Sequence, residues 1–170
     1  MALRYLSDNE VVRCFGDPTE FINEDGSIGK AWEIKILSSF PLPAALPYCA
    51  DHGVKITRVR CNKRILSFLQ AALGEIYDDK NLWGAIGDFG GCYNWRTQRK
   101  SKNLSRHSWG IAIDIDVNDN PMNTKGIMPQ KTIDIFKSYG FLWGGNFRTR
   151  KDPMHFEFGD PSLLGVIENE

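Results

Sequence analysis

The chain has 170 residues, the length of one ordinary domain, and folding at that size hides roughly two-thirds of the surface the extended chain would expose. Lys plus Arg and Asp plus Glu each number 21, for a formal net charge of zero, which argues against nucleic acid and acidic membranes as partners. With 42% hydrophobic and 25% charged residues and a mean hydropathy of -0.34, wholesale disorder is excluded, and no apolar run reaches the roughly 20 residues of a membrane-spanning helix.

Met1 to Val12 lack the basic start, long apolar stretch and small-residue cleavage site of a secretory signal, so the expectation is synthesis in the cytoplasm without a signal peptide. Within that segment Ser7 and Glu10 form a capping-box pattern, followed by Val11, Val12 and Phe15 and stopped by Gly16, which predicts a short helix. Trp32, Ile34 and Ile36 alternate with Glu33 and Lys35 and predict a strand. The Pro-rich segment Phe40 to Tyr48 reads as an extended connector, and Val54 to Arg60 as a second β-rich run. From Asn62 onward Ile65, Leu66, Phe68, Leu69, Ala72, Leu73 and Ile76 recur at three and four, the spacing of an amphipathic helix. A Gly-rich stretch, Gly84 to Gly91, follows.

Cys14, Cys49, Cys61 and Cys92 are irregularly spaced with no C-x-x-C pair, so they read as unpaired thiols; two disulfides, in any of the three connectivities four cysteines allow, are the alternative.

In Ile111 to Val117 the residues Ile111, Ile113, Ile115 and Val117 fall on one face of a predicted strand, and Ala112, Asp114 and Asp116 on the other. Pro129 to Tyr139 predicts a helix with Ile133 and Phe136 inward and Gly140 at its end. Phe141 to Trp143 and Met154 to Phe158 read as strands. In the second, Phe156 and Phe158 share one face while His155 and Glu157 take the other.

Only three histidines occur in the chain, and two of them stand beside acids. If the two strands pair with their Ile and Phe faces on one core, Asp114 and His155 emerge together on the opposite face, with His107 reaching in from the preceding turn. Two imidazoles and one carboxylate form a three-ligand set that leaves a fourth position for water, the arrangement of catalytic zinc. Asp152, extended by the proline that follows it, is then the leftover acid and the candidate general base. His52 has no acid cluster around it and reads as structural. Asp114-x-Asp116-x-Asn118 fails as a calcium loop, because Asp119 and Lys125 stand where that motif needs Gly and Glu; Asp116 reads as an acid that either backs the ligands from behind or sits at the edge of the site. Arg96, Arg99, Lys100, Lys102 and Arg106 form a basic stretch, either a solvated loop or a cationic rim for substrate carboxylates. Ser105 either holds the loop before His107 or also hydrogen-bonds substrate. Trp143 either packs in the core or walls the cleft, with Gly144 and Gly145 letting substrate backbone approach.

Ser105, His107, Gly110, Ala112 and Asp114, then Trp143-Gly144-Gly145, then Asp152, His155 and Phe156 together resemble the zinc D-Ala-D-Ala peptidase family. That group includes the VanY carboxypeptidases, VanX dipeptidases and phage L-alanyl-D-glutamate endolysins. The resemblance runs from Gly90 to Phe158 and extends weakly upstream through Phe15-Gly16-Asp17-Pro18. It implies zinc held by His107, Asp114 and His155, Asp152 as acid and base, and Arg96 at the carbonyl oxygen or anchoring substrate. It implies a small α+β domain with helices packed on a mainly antiparallel sheet, as in the Hedgehog signalling domain. The expected organisation is a single zinc peptidase domain over 1–170, with segment 1–62 packed on the catalytic part 63–160.

The function so implied is hydrolysis of an amide bond in peptidoglycan stem peptides by a phage endolysin cutting L-Ala-D-Glu during host lysis. It would be a monomer with no stable membrane association that reaches the cell wall after release. The alternatives are a D-Ala-D-Ala carboxypeptidase and a non-catalytic, zinc-stabilised peptidoglycan-binding module.

Overall fold

The computed structural model describes residues 3–99 and 101–165; Lys100 of the basic stretch and the chain ends included in the expected domain lie outside the described residues. The first helix, α1 (Asp8–Phe15), starts where the sequence predicts it. Ser7 Oγ accepts the Glu10 amide, the Glu10 carboxylate accepts the Ser7 amide, and Gly16 ends the helix.

The predicted strand around Trp32 is instead a helix, α2 (Lys30–Ile36). Trp32 and Ile36 are four apart and both are buried, while Ile34 is 66% exposed. Alternation over so short a window fits a helix equally well when its middle member is left in solvent. Extended chain begins one residue later with β1 (Leu37–Tyr48), which forms a long antiparallel ladder with β2 (Asp51–Asn62). The Pro-rich segment is therefore part of the sheet and not a connector. A register shift between Pro41 and Leu46 absorbs the irregular pairing. On its other side β1 meets the rest of the sheet only at Tyr48–Phe89, so most of its length is an edge, where prolines are tolerated.

The long apolar periodicity becomes α3 (Leu66–Asp78), with Leu69, Ala72, Leu73 and Ile76 buried. The Gly-rich stretch divides between α4 (Lys80–Ala85) and β3 (Phe89–Gly91). Next come β4 (Ala112–Ile115), α5 (Gln130–Ser138), β5 (Phe141–Trp143) and β6 (His155–Phe158). The six strands form one sheet in the order β2-β1-β3-β4-β6-β5, antiparallel except for the β1–β3 contact. The fold is α+β with a mainly antiparallel sheet, as the sequence predicts.

The predicted alternation of β4 stops short of Val117. Asp116 takes a left-handed backbone (φ 52°), and its buried carboxylate accepts the Gly87 amide (3.1 Å) and the Asn120 side chain (2.7 Å). It pins the loop after the strand and lines neither hollow of the site described below.

The core forms where α3 and α5 pack against the sheet. Phe156 stacks on Phe136 with ring centroids 4.1 Å apart, and Phe158 meets Phe15, Phe68 and Phe141. Each fully buried aromatic of this kind contributes about 1.5–3 kcal/mol. Because side chains alternate along β6, this packing drives His155 and Glu157 to the opposite face of the sheet. All four cysteines are free thiols.

Candidate active site

β4 and β6 pair in the register Asp114↔His155 and Ala112↔Glu157, so the acid and the imidazole are direct cross-strand neighbours. The third group arrives from a 3₁₀ turn, Arg106–Trp109, whose N-cap Ser105 accepts the His107 amide and whose end is the left-handed Gly110 (φ 64°). Asn94 and Ser105 hold this turn beside residues 92–96: the Asn94 amide donates to His107 O (3.1 Å) and the Ser105 amide to Arg96 O (3.0 Å). One ligand atom each from His107, Asp114 and His155 lies within 4.8 Å of the others.

The ring nitrogens show what this cluster can hold. His107 Nδ1 lies 2.7 Å from the carbonyl of Cys92; a carbonyl only accepts, so Nδ1 carries a proton and Nε2 is left to present a lone pair inward. His155 Nε2 lies 3.1 Å from the Glu157 carboxylate, while its Nδ1 sits 2.9 Å from Asp114 and 3.2 Å from His107 Nε2. A second Asp114 oxygen is 3.2 Å from His107 Nε2. A carboxylate this close to two imidazole nitrogens requires a shared cation, either a proton on one of those nitrogens or a metal ion. Borderline-soft divalent ions such as zinc suit a His₂Asp donor set, and both imidazoles have the outer partner that fixes a metal-binding tautomer. The residues present therefore fit zinc.

Charge follows the same geometry. Burial works against the Asp114 carboxylate, yet His107 and His155 hold it far below the usual range. Burial alone would lower His155, but hydrogen bonds to Asp114 and Glu157 raise it to about 10.

Asp152 lies at the edge of this cluster. Its backbone is bound on both sides, its amide donating to Gly144 O and its carbonyl accepting the His155 amide, both at 3.0 Å. Its Oδ1 is buried with no hydrogen-bond partner among the described residues, and burial pushes its acid upward, opposed by the nearby His155.

The Trp143-Gly144-Gly145 segment sets this position. A Cβ on Gly144 would lie 2.5 Å from the Asp152 carbonyl, and one on Gly145 would overlap the Trp143 ring at 2.2 Å. The Trp143 indole donates to Pro153 O (2.7 Å), so Trp143 clamps the Asp152–Pro153 backbone and is not among the residues lining the two hollows. Gly144→Ala is expected to displace Asp152 and to cost about 1–3 kcal/mol, as overpacking does. A thermal melt reads this, and an unchanged Tm would show that the loop yields freely.

Two hollows flank the cluster. One, of about 310 Å³, is lined by Arg96, Ser105, Phe147, Asp152, His155 and Glu157 among others. The other, of about 300 Å³, is lined by Tyr48, Gly90, Gly91, Tyr93, Asn94, Arg96, His107 and Asp114. Arg96 borders both. Its amide donates to Ser108 Oγ (3.1 Å) and Ser108 Oγ donates to Arg96 O (2.8 Å), which ties it to the His107 turn. Ser105 is buried as the cap of that turn while touching the first hollow. His52 is mostly exposed and lies near Asp88 and Asn118, apart from the cluster.

Sequence reasoning passed over Cys92, whose carbonyl orients His107, and Glu157, which orients His155. Glu157 was legible, since it shares a β6 face with His155; a backbone carbonyl leaves no sequence signal.

Residues 99–158 match the M15 peptidase family model described as D-alanyl-D-alanine carboxypeptidase. The matched segment holds the whole His107, Asp114, Asp152 and His155 constellation, and the match supports the M15 zinc peptidase family and a carboxypeptidase-like peptidase function. No curated protein matches the chain. Among the described residues no helix is long and apolar enough to cross a membrane.

Proposed function

We propose that the chain is a zinc metallopeptidase that hydrolyses an amide bond in peptidoglycan stem peptides, acting as a phage endolysin on L-Ala-D-Glu after release to the wall. In this reading residues 1–170 work as one unit, with segment 1–62 packed on the catalytic part 63–160. The observation that carries the reading is the convergence of one ligand atom each from His107, Asp114 and His155 within 4.8 Å, beside an acid with a buried oxygen that has no hydrogen-bond partner among the described residues.

His107, Asp114 and His155 would hold the ion, which when bound supplies Lewis acidity toward a carbonyl and lowers the pKa of water. Asp152 takes a proton from the attacking water; burial raises its pKa, which makes its carboxylate a better proton acceptor than an exposed one. It next delivers that proton to the departing amine. Arg96, bordering both hollows, donates to the oxygen that gains charge as the carbonyl carbon becomes tetrahedral. Ser105 holds His107 in place and borders the substrate.

The second reading, a D-Ala-D-Ala carboxypeptidase, is favoured by the description of the matching family model. Digestion of purified sacculi with zinc, with chelator and with zinc restored, followed by product masses, separates the two. A newly exposed D-Glu amine is the expected product, and released terminal D-Ala would transfer the assignment to the carboxypeptidase. Binding without any zinc-dependent product would overturn both in favour of a non-catalytic module.

A further inference from the structure

The two hollows differ sharply in charge. Arg96, Arg99, Arg106, Arg148 and Arg150 all line the one that holds Asp152, whereas the opposite hollow has Arg96 as its one arginine. In a chain whose net charge is zero, this local excess needs a reason. The arginines come from two separate segments, one running into the His107 turn and one between β5 and β6, which Arg150 joins: its guanidinium donates to Arg99 O (2.8 Å) and contacts Met122 Sδ (3.1 Å). Arg106 is committed to Asp8 (2.7 Å) and Leu6 O (2.6 Å). Arg99 and Arg148 are exposed, and their side chains have no hydrogen bond or ion pair among the described residues. Two unpaired guanidiniums on a hollow's rim are a site for planar anions, carboxylates above all.

The position of Asp152 orients the substrate. The proton it carries goes to the departing amine, so the amine-side half of the cleaved peptide lies in the hollow that Asp152 lines, and the acyl half lies in the hollow of Tyr48, Tyr93 and Gly90. We propose that Arg99 and Arg148 bind a carboxylate on the amine-side half, so that the enzyme selects peptides whose departing half is anionic next to the scissile bond. This rests on the catalytic reading above for its orientation, and on the arginine cluster alone for its chemistry.

The test compares L-Ala-γ-D-Glu-L-Lys, whose D-Glu α-carboxylate is free, with the same peptide amidated there. For the zinc-loaded wild type, kcat/KM is expected to favour the free acid by about tenfold, the size of one charge-assisted hydrogen bond. The preference should shrink as salt is raised. In the Arg99→Ala, Arg148→Ala double variant the preference should fall below about threefold, mainly through loss on the acid substrate. Equal cleavage of both peptides by wild type, or an undiminished preference in the double variant, would overturn the proposal. If neither peptide is cut, the catalytic reading fails separately, and calorimetric binding of the two peptides to the wild-type protein decides this one. A tenfold tighter Kd for the acid, lost in the double variant, supports it; equal affinity or no binding overturns it.

Discussion

Asp152→Asn is expected to reduce hydrolysis of sacculi by about a hundred- to ten-thousandfold, the usual contribution of a positioned acid or base, while zinc content stays at the wild-type level. The same substitution should raise, or leave unchanged, the Tm of the metal-free protein at neutral pH. The sign follows from burial. Asp152 Oδ1 is shut away from water with no hydrogen-bond partner among the described residues, and its pKa is pushed up by desolvation. A carboxyl group whose folded pKa exceeds its unfolded value favours the fold below the unfolded pKa and weighs against it as pH rises through the folded pKa. Replacing the carboxylate with a neutral amide of the same shape removes that penalty. Loss of turnover with gain of stability is the signature of a group retained for chemistry. Melting curves and inductively coupled plasma metal analysis, run beside the activity assay, check it. Near-normal lysis by the variant would remove Asp152 from the mechanism, and a large drop in Tm would make it a structural residue.

The parts of the fold legible in the sequence are those with a long or strongly punctuated pattern. α3 and its N-cap Ile65 carry seven apolar positions at helical spacing, and α1 is framed by the Ser7–Glu10 box and Gly16. α2 was misread because three alternating apolar residues cannot distinguish a period of two from a period of 3.6 when the tertiary fold leaves Ile34 in water. β1 was misread because proline argues against a central strand, and nothing local reveals that β1 touches β3 only at its last residue. The site was more legible than the fold. Its face was set by alternation: Phe156 and Phe158 must go inward, so His155 and Glu157 must go outward, and the same logic brings Asp114 opposite His155. What alternation could not supply was the role of Trp143-Gly144-Gly145. The sequence offered them either as packing at a strand end or as a cleft wall where substrate approaches, and their closest neighbours are one another and the Asp152–Pro153 backbone. The convergence of Arg99 with Arg148 was also invisible, because it depends on two loops meeting across about 50 residues of chain, joined by Arg150.

Zinc binding is expected to expel a proton from His155 and to tighten about tenfold per pH unit between pH 7 and 9. In the metal-free protein the His155 imidazolium is held by Asp114 on one nitrogen and Glu157 on the other, which raises its pKa to about 10. His155 Nδ1 is also the nitrogen that, with Asp114 and His107, would hold the ion. Metal and proton therefore compete for one lone pair, and each pH unit below the folded pKa costs one decade of apparent affinity. Stability supplies the independent check. The folded pKa lies above the unfolded value of about 6.5, so the stabilisation from the charged imidazole is fully present below that value and is lost as pH rises toward 10. The Tm of metal-free protein should thus fall across this interval, and that of the zinc-loaded protein should be flatter. His155→Ala should abolish both zinc binding and activity, and should remove the proton release seen by calorimetry in buffers of different ionisation enthalpy. Zinc binding at pH 7 with no proton released would mean that Nδ1 is already bare in the folded chain, and that some other cation or water reconciles Asp114 with the inward lone pair of His107.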